Sequence, residues 1–255
     1  MNNLKMRLAM GKVSVGSWIT LGHPSIAEIM CRAGFDWLAV DMEHSAITLS
    51  DCQQLVQIIE LSGLTPLVRV EKNDANIIKR VMDAGAHGVI VPMVNDKSDA
   101  EKAVSAVKYP PIGTRGVGLA RAQGYGLEFE KYKKWVNKGS IVIVQIEHFK
   151  AVDCLEDILN TPGVDGSIIG PYDLSASLGC PGQFDEPIVI NAIARYERIC
   201  KELRKPMGFH VVQPDLKIAR IYKKRKYSFI AIGLDTLYLG IKCTEITRGI
   251  FNEEL

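Results

Sequence analysis

Short runs of nearly continuous apolar residues recur along the chain, with more polar segments between them. Runs such as LVRV, GVIVPMV, SIVIVQIE and SFIAIGL are typical of strands buried on both faces, as in a parallel sheet covered by helices. The pattern predicts eight strands, at residues 13–20, 37–43, 64–70, 88–94, 140–147, 164–170, 206–212 and 228–235.

The segments between these strands carry apolar residues at spacings of three and four, which is the period of an amphipathic helix. They predict helices at residues 25–33, 49–61, 75–84, 98–107, 151–159, 188–203 and 215–223, with a charged helical stretch at 127–137 and a last helix at 236–251. Several end at a turn glycine, as in RAGFDW, LSGLTP and DAGAHG, which suits a helix C-cap.

Eight strand–helix units in 255 residues predict a single-domain α/β protein in which residues 1–255 form a (β/α)8 TIM barrel. A doubly wound sheet is the competing architecture, but eight parallel strands without a dinucleotide-binding Gly-rich turn favour the barrel. The Gly-, Pro- and Arg-rich segment 109–126 lies between the fourth and fifth strands. Long loops of this kind are usually functional, so it predicts a lid or an oligomer contact.

Composition and charge narrow the class of protein. The 31 Lys and Arg against 29 Asp and Glu give a net charge of +2, which argues against a nucleic-acid partner. The N-terminus lacks the apolar run of a signal peptide, and no segment is long enough for a membrane helix. The six scattered cysteines form no CxxC pair and indicate a reducing compartment. We therefore expect a cytoplasmic protein that does not associate with membranes.

Polar side chains stand at the predicted carboxyl ends of the strands, where the reactive groups of a barrel lie. Barrel interiors are packed with branched apolar residues. Acids, a histidine and an arginine at this end are not expected from core packing, and they therefore indicate a functional site. They are Asp41, Glu43 and His44 after the second strand, Arg69 after the third, Gln145 and Glu147 after the fifth, Gly170 to Asp173 after the sixth, and Asp235 after the eighth.

Glu147 and Asp173 follow neighbouring strands and are the candidate metal ligands. Carboxylate oxygens suit Mg²⁺ or Mn²⁺, with water or substrate filling the remaining positions. The alternative is that each acid caps the helix that follows it.

His44 is the candidate proton carrier, because histidine exchanges protons near neutral pH, and Asp41 is placed to orient its ring. Of the other histidines, His23 and His210 also fall near strand ends. Arg69 has two interpretations that the sequence leaves open. It either pairs with Asp41 or Glu43, or it binds a substrate carboxylate or a developing enolate.

The lysines favour metal-assisted chemistry over an imine route. A Schiff-base aldolase needs a partly desolvated lysine in the barrel mouth. None of the predicted strands contains an interior lysine, and Lys72 and Lys150 lie just beyond strand ends with a solvent-facing character.

The motifs resemble the HpcH/HpaI aldolase family, the class II 2-oxo-3-deoxy acid aldolases. The resemblance rests on AGFDWLAVDMEHS, PLVRV, DAGAHGVIVPMV, YPPIGTRGVG, VIVQIE, GVDGSIIGPYDLSASLG and FIAIGLDT, which span nearly the whole chain in order. It implies a metal-dependent, reversible cleavage of a 4-hydroxy-2-oxo acid into pyruvate and an aldehyde, using Mg²⁺, Mn²⁺ or Co²⁺ and no organic cofactor.

The resemblance also implies roles for individual residues. Glu147 and Asp173 would hold the metal, His44 would accept the proton, and Arg69 would stabilise the enolate. Gln145 and the main chain of Tyr172 and Asp173 would bind the pyruvyl part, although relatives commonly have a small residue at the position of Tyr172.

Asp83, the acid of the DAG motif, is associated in the family with tuning the basicity of the histidine. Our element pattern instead puts it at a helix end on the opposite face of the barrel, so another subunit supplies it or its effect is indirect. The family is typically hexameric, which implies a homo-oligomer.

Three other functions remain open at this level. The same enolate chemistry serves oxaloacetate decarboxylation or a citrate-type condensation, which differ in the electrophile. A barrel that has lost activity and binds a 2-oxo acid is the third possibility. Residues 208–212 and the segment 109–126 are the expected determinants of specificity.

Overall fold

The computed structural model describes residues 3–250 and shows eight parallel strands that close into one barrel. Each strand pairs with its neighbours in sequence, and β1 pairs with β8, which confirms the TIM barrel and excludes the doubly wound sheet. The strands are β1 Ser14–Ile19, β2 Trp37–Asp41, β3 Thr65–Arg69, β4 Gly88–Val91, β5 Ile141–Ile146, β6 Gly166–Ile169, β7 Met207–Val211 and β8 Phe229–Leu234.

Alternate residues of each strand point to two different cores. In β2, Trp37 and Ala39 belong to the cluster inside the barrel, whereas Leu38 and Val40 belong to the layer between the sheet and the helices. This is the two-residue period of a strand, and both sets are buried because helices cover the outside. The continuous apolar runs of the sequence are the direct consequence.

Twelve α-helices surround the barrel within residues 3–250. They are α1 Asn3–Ala9, α2 Pro24–Cys31, α3 Leu49–Leu61, α4 Ala75–Asp83, α5 Lys97–Val107, α6 Phe129–Gly139, α7 Phe149–Asp153, α8 Leu155–Asn160, α9 Pro171–Ser177, α10 Pro187–Glu202, α11 Leu216–Lys224 and α12 Asp235–Ile250. A 3-10 helix spans Arg121–Gly126. None of the helices described in this range is long and apolar enough to cross a membrane.

Most predicted helices are confirmed, and the differences have local causes. The predicted helix 151–159 is two helices, because the backbone leaves helical geometry at Cys154 between α7 and α8. The predicted last helix is α12, and its final position, Phe251, lies outside the described residues. The extension of one domain over residues 1–255 stays a prediction.

The Gly-rich loop and the 3-10 helix lie away from the carboxyl ends of the strands. Arg115 pairs with Asp83 at the end of α4 at 2.5 Å, and Arg121 pairs with Glu60 near the end of α3. Helices of a β/α barrel end near the amino ends of the strands that follow them. The loop is therefore not a lid over the mouth of its own barrel.

Helix α1, which the pattern did not predict, closes the amino end of the barrel. Leu4 and Leu8 are almost fully buried and join the inner cluster with Trp37 and Phe229, whose rings stack at 4.2 Å. Seven residues are too few for the helical period to stand out in the sequence.

We expect Leu8→Ala to lower the free energy of unfolding by about 2–4 kcal/mol, because it opens a cavity under the barrel. Urea unfolding followed by circular dichroism measures this. The control is Met10→Ala, at an exposed position just after the same helix, which should change the value by less than about 0.5 kcal/mol. Equal effects of the two changes would show that α1 does not close the core.

Candidate functional site

In β2, β3 and β5 the inward-facing residues change from apolar to polar at the carboxyl end of the strand. In β2 the inward residues Trp37 and Ala39 are followed by Asp41, and in β3 Leu67 is followed by Arg69. In β5 the inward Ile141 and Ile143 are followed by Gln145 and then by Glu147, just after the strand. Because successive inward residues are two apart, these polar side chains all face the mouth of the barrel.

Asp41 and Arg69 form the most strongly bonded pair in the mouth. The two residues are register partners on β2 and β3, and the guanidinium donates from Nε and Nη2 to the two carboxylate oxygens at 2.9 and 2.6 Å. Asp41 also accepts from the main-chain N–H groups of Glu43 and His44. Burial opposes ionisation of Asp41, but the bonds from Arg69 outweigh it and lower its pKa.

Arg69 has further neighbours in the mouth. Its Nε lies 3.3 Å from Glu43 Oε2, and its guanidinium carbon lies 4.5 Å from the centre of the Trp18 ring. The ion-pair interpretation of Arg69 is therefore confirmed for both acids. The guanidinium is partly exposed, so the pairing does not close it off from a ligand in the mouth.

The negative charge of Glu43 is only partly balanced by Arg69. Burial raises its pKa to about 7; Arg69 opposes the shift, whereas Glu147, Asp41 and Asp173 add to it. Its Oε2 atom is buried and has no hydrogen-bond partner within residues 3–250. Burial and three neighbouring carboxylates thus favour the protonated form of Glu43, and the single guanidinium, which pairs with Asp41 and Glu43, only partly opposes them.

His44 stands at the outer edge of the mouth, with a side chain that is 66% exposed. Its Nε2 lies 3.7 Å from Glu43 Oε2. Asp41 contacts the main-chain N–H of His44 and thereby fixes the turn that carries the ring. The proposed proton carrier is therefore accessible from solvent and next to an acid.

Glu147 is buried and firmly oriented. Its Oε1 accepts from the main-chain N–H of Met93 at 2.6 Å, and its Oε2 accepts from the side-chain amide of Gln145. Met93 has a positive φ of 52°, which is uncommon for a side chain of this size. Burial, opposed by these two hydrogen bonds and reinforced by Asp173, raises the pKa of Glu147.

Asp173 lies in the first turn of α9, just after β6, which is the strand paired with β5 before Glu147. A Cβ built on Gly170 would lie 3.3 Å from Glu147 Oε2 and 3.9 Å from Asp173 Oδ2, so the two carboxylates border one small space that only glycine leaves open. The side chain of Asp173 makes no hydrogen bond within residues 3–250, and α7 is capped by His148 rather than by Glu147. Neither acid therefore caps a helix through a side-chain hydrogen bond, although Asp173 lies in the first turn of α9, where a negative charge is favoured.

Within residues 3–250, no group of three or more His, Cys, Asp or Glu side chains is placed to hold a metal. Tyr172 is exposed beside Asp173, and its ring faces Gly182.

Asp235 has a different role from the other rim acids. It accepts from the main chain of Thr20 and Leu21 and so ties the end of β8 to the end of β1.

Asp83 is not brought to the mouth within one chain. It lies at the end of α4 and pairs with the fully buried Arg115, and Gln123 donates to the same oxygen at 3.4 Å. The buried lysine of the described part, Lys108, is also at the amino end of the barrel, where it donates to Ser140. Burial lowers its pKa to about 8, but the mouth is out of its reach.

The remaining histidines divide between caps and the barrel interior. His23 and His148 accept from the main chain at the starts of α2 and α7, and His87 contacts Glu60 at 3.1 Å. His210 is inward-facing on β7 and donates from Nε2 to the carbonyl of Gly233 at 3.0 Å. Trp18, Met93 and the gap at Gly170 were missed by sequence reasoning, since only three-dimensional contacts give them a role.

Comparison with known proteins gives one consistent result. The family model for HpcH/HpaI aldolase/citrate lyase matches residues 14–239. The 2-keto-3-deoxy-L-rhamnonate aldolase of Escherichia coli (strain K12) is 38% identical over 238 residues, covering 92% of this chain and 88% of that protein.

Two solved structures extend the comparison to the fold. A HpcH/HpaI aldolase/citrate lyase family protein from Burkholderia cenocepacia J2315 has a TM-score of 0.92 at 34% identity, covering 98% of this chain and 99% of that one. The HpcH/HpaI aldolase from Desulfitobacterium hafniense DCB-2 has a TM-score of 0.88 at 30% identity, covering 98% and 97%.

The raised pKa of Glu43 predicts a pH-dependent stability of the metal-free protein. The folded state holds the proton with a pKa of about 7, against an ordinary value of 4.5. The resulting stabilisation is complete below about pH 4.5 and is lost as the pH rises through 7. Glu43→Gln should therefore gain about 1–2 kcal/mol on wild type between pH 5 and pH 8, a value reduced because the side chain is partly exposed.

Urea unfolding in the presence of a chelator, repeated across this pH range, measures the gain. Glu101→Gln, an exposed change on α5, serves as the control and should show no trend. A difference between Glu43→Gln and wild type that stays constant with pH would contradict the proposed charge crowding.

Proposed function

The chain belongs to the HpcH/HpaI aldolase/citrate lyase family, and from this we propose that it is a metal-dependent class II aldolase. It reversibly cleaves a 4-hydroxy-2-oxo acid into pyruvate and an aldehyde. The observation that carries the proposal is the pair of carboxylates, Glu147 and Asp173, that border the open space at Gly170 in the barrel mouth.

The residues present fit a divalent cation. The two acids offer hard oxygen ligands, and Gly170 leaves the space between them free of side-chain atoms. Burial and Asp173 raise the pKa of Glu147, which is the condition that a bound cation relieves. Mg²⁺, Mn²⁺ or Co²⁺ held there would polarise the 2-oxo group and carboxylate of the substrate as a Lewis acid.

Glu147 is supported for this role by its neighbours. The main-chain N–H of Met93 and the amide of Gln145 each engage one of its oxygens, so the carboxylate is held in one orientation. In the proposal Gln145 and the main chain of Tyr172 and Asp173 also contact the pyruvyl part of the substrate.

Arg69 supplies a fixed positive charge for the anionic product. Cleavage breaks the C3–C4 bond, and its electron pair stays on the 2-oxo acid as an enolate. Asp41 holds the guanidinium by two hydrogen bonds, so little reorganisation is needed when the negative charge develops.

His44 takes the proton of the 4-hydroxyl as the aldehyde forms. Its exposed side chain at the outer edge of the mouth suits a base that acts on the leaving half of the substrate. The enolate carbon C3 then takes a proton to give pyruvate, and the reverse order of steps forms the aldol.

The proposed homo-oligomer is supported by apolar surface that a single chain leaves exposed. Helix α12 has one buried residue, Asp235, and exposes Leu239, Ile246 and Ile250. Contiguous exposed apolar surface of this kind marks contact sites. A role for Asp83 in catalysis requires such a neighbour, since its own barrel mouth lies at the other end. The hexameric state and the cytoplasmic location remain predictions.

Chelation tests the proposal. Pyruvate release from 4-hydroxy-2-oxopentanoate should stop in excess chelator and return with added Mn²⁺ or Mg²⁺, because the carboxylate pair alone does not stabilise the enolate. Glu147→Gln and Asp173→Asn, which keep shape but lose charge, should each lower kcat/KM at least about 100-fold and weaken Mn²⁺ binding. Pyruvate release is followed by a coupled dehydrogenase assay and Mn²⁺ binding by calorimetry.

Glu156→Gln, an exposed change on α8, is the control and should behave as wild type. Activity that survives chelation, or borohydride trapping of pyruvate on the protein, would contradict the metal mechanism. Turnover of oxaloacetate alone would favour decarboxylation, and tight binding of pyruvate without any turnover would favour an inactive barrel.

A further inference from the structure

The seventh strand places a histidine level with the glycine that separates the proposed metal ligands. Ile169 of β6 is the register partner of Phe209 of β7, so Gly170 and His210 are level, one step further along the two strands. Gly170 borders the carboxylates of Glu147 and Asp173. The side chain of His210 points into the barrel, where its ring lies 5.6 Å from that of Trp18.

The hydrogen bond of His210 fixes its tautomer. Nε2 lies 3.0 Å from the carbonyl oxygen of Gly233, and a carbonyl only accepts, so the proton is on Nε2. Burial lowers the pKa of His210 to about 4, so the ring is neutral at neutral pH and Nδ1 is a bare acceptor. Nδ1 makes no hydrogen bond within residues 3–250.

The ring of His210 lies near the ring of Trp18 and near the opposite charges of Arg69 and Asp41. Trp18 is buried beneath the guanidinium of Arg69, and its indole N–H also has no hydrogen-bond partner within the described chain. This end of the site therefore contains one acceptor and one donor that the protein does not satisfy. The fully buried N–H of Trp18 indicates a ligand or an ordered water. Nδ1 of His210 is not fully buried and is therefore accessible to a ligand in the mouth.

The depth of the site decides which half of the substrate meets these groups. In the proposed mechanism the aldehyde half lies at the outer edge with His44, whose side chain is exposed, and leaves toward solvent. The 2-oxo acid half then lies deeper, against Trp18 and His210, which are buried and half-buried. Within that half, C3 is the carbon that can carry an additional polar group.

We propose that His210 makes this a site for a 2-oxo acid with a hydroxyl on C3, which donates a hydrogen bond to the Nδ1 atom of the imidazole. The inference rests on the proposed aldolase function and names its nucleophile. In the synthetic direction C3 loses a proton and bonds to the aldehyde carbon, the aldehyde oxygen gains a proton, and the product is a 3,4-dihydroxy-2-oxo acid. The relative from Escherichia coli is named for a 3-deoxy substrate, so this chain departs from it.

A purely structural role for His210 is the competing explanation. Gly233 has a φ of +56° and lies where the pairing of β1 with β8 shifts register, so the bond from Nε2 could serve only to hold this irregular segment. Two substitutions separate the explanations. Asn places an acceptor near the position of Nδ1 but does not reach Gly233. Gln reaches Gly233 but loses the acceptor at Nδ1.

The experiment compares hydroxypyruvate with pyruvate as nucleophile in the Mn²⁺-loaded enzyme. Acetaldehyde is the common acceptor because it has no hydroxyl of its own. We expect wild type to have the higher kcat/KM with hydroxypyruvate. The ratio of the two values should fall about 10-fold or more in His210→Gln and His210→Leu and stay within about 3-fold in His210→Asn. Calorimetric Kd values of the two acids should show the same order without turnover.

His23→Asn, which exchanges one helix-capping side chain for another at the start of α2, is the matched control and should leave the ratio unchanged. Circular dichroism and the Kd for Mn²⁺ establish that each variant is folded and loaded. A ratio that is the same in wild type, Gln and Leu would overturn the role of His210 and leave the aldolase proposal standing. A wild type that neither binds nor converts either acid would overturn both.

Discussion

Crowding of negative charge around one guanidinium is the constraint on which the mouth of this barrel depends. Asp41, Glu43, Glu147 and Asp173 lie close enough to influence one another, and Arg69 is bonded to the first two. Asp41 takes the strongest share of that positive charge, so its pKa falls while burial and the other acids raise the pKa of Glu43. Such an arrangement of buried carboxylates lowers the stability of the folded protein in favour of function. A cation between Glu147 and Asp173 would reduce the repulsion between the acids.

The strands that form the apolar core of the barrel also position the polar side chains of its mouth. Apolar inward residues fill the lower layers of the barrel, from Leu4 and Leu8 of α1 up to Ile143 and Ile168. The next inward positions, which include Asp41, Arg69 and Gln145, lie at the mouth of the barrel, beyond the apolar inner cluster. The polar residues at that level need no special loop to be brought together, because strand closure does it.

Sequence patterns were sufficient for the fold and for most of the mouth. The apolar runs predicted all eight strands, and the residues after each run predicted Asp41, His44, Arg69, Gln145, Glu147 and Asp173 as rim residues. Contacts that depend on backbone shape were not predictable. Met93 bonds Glu147 through its main chain, Gly170 matters because it has no side chain, and the importance of Glu43 comes from neighbours on other strands.

A crystal grown with Mn²⁺ and pyruvate tests the central claim most directly. Anomalous difference maps at the manganese edge should show one ion in the barrel mouth, about 2.0–2.4 Å from oxygens of Glu147 and Asp173, with pyruvate completing its shell. An ion bound elsewhere, or pyruvate seated in the mouth with these carboxylates turned away from it and no ion between them, would contradict the account.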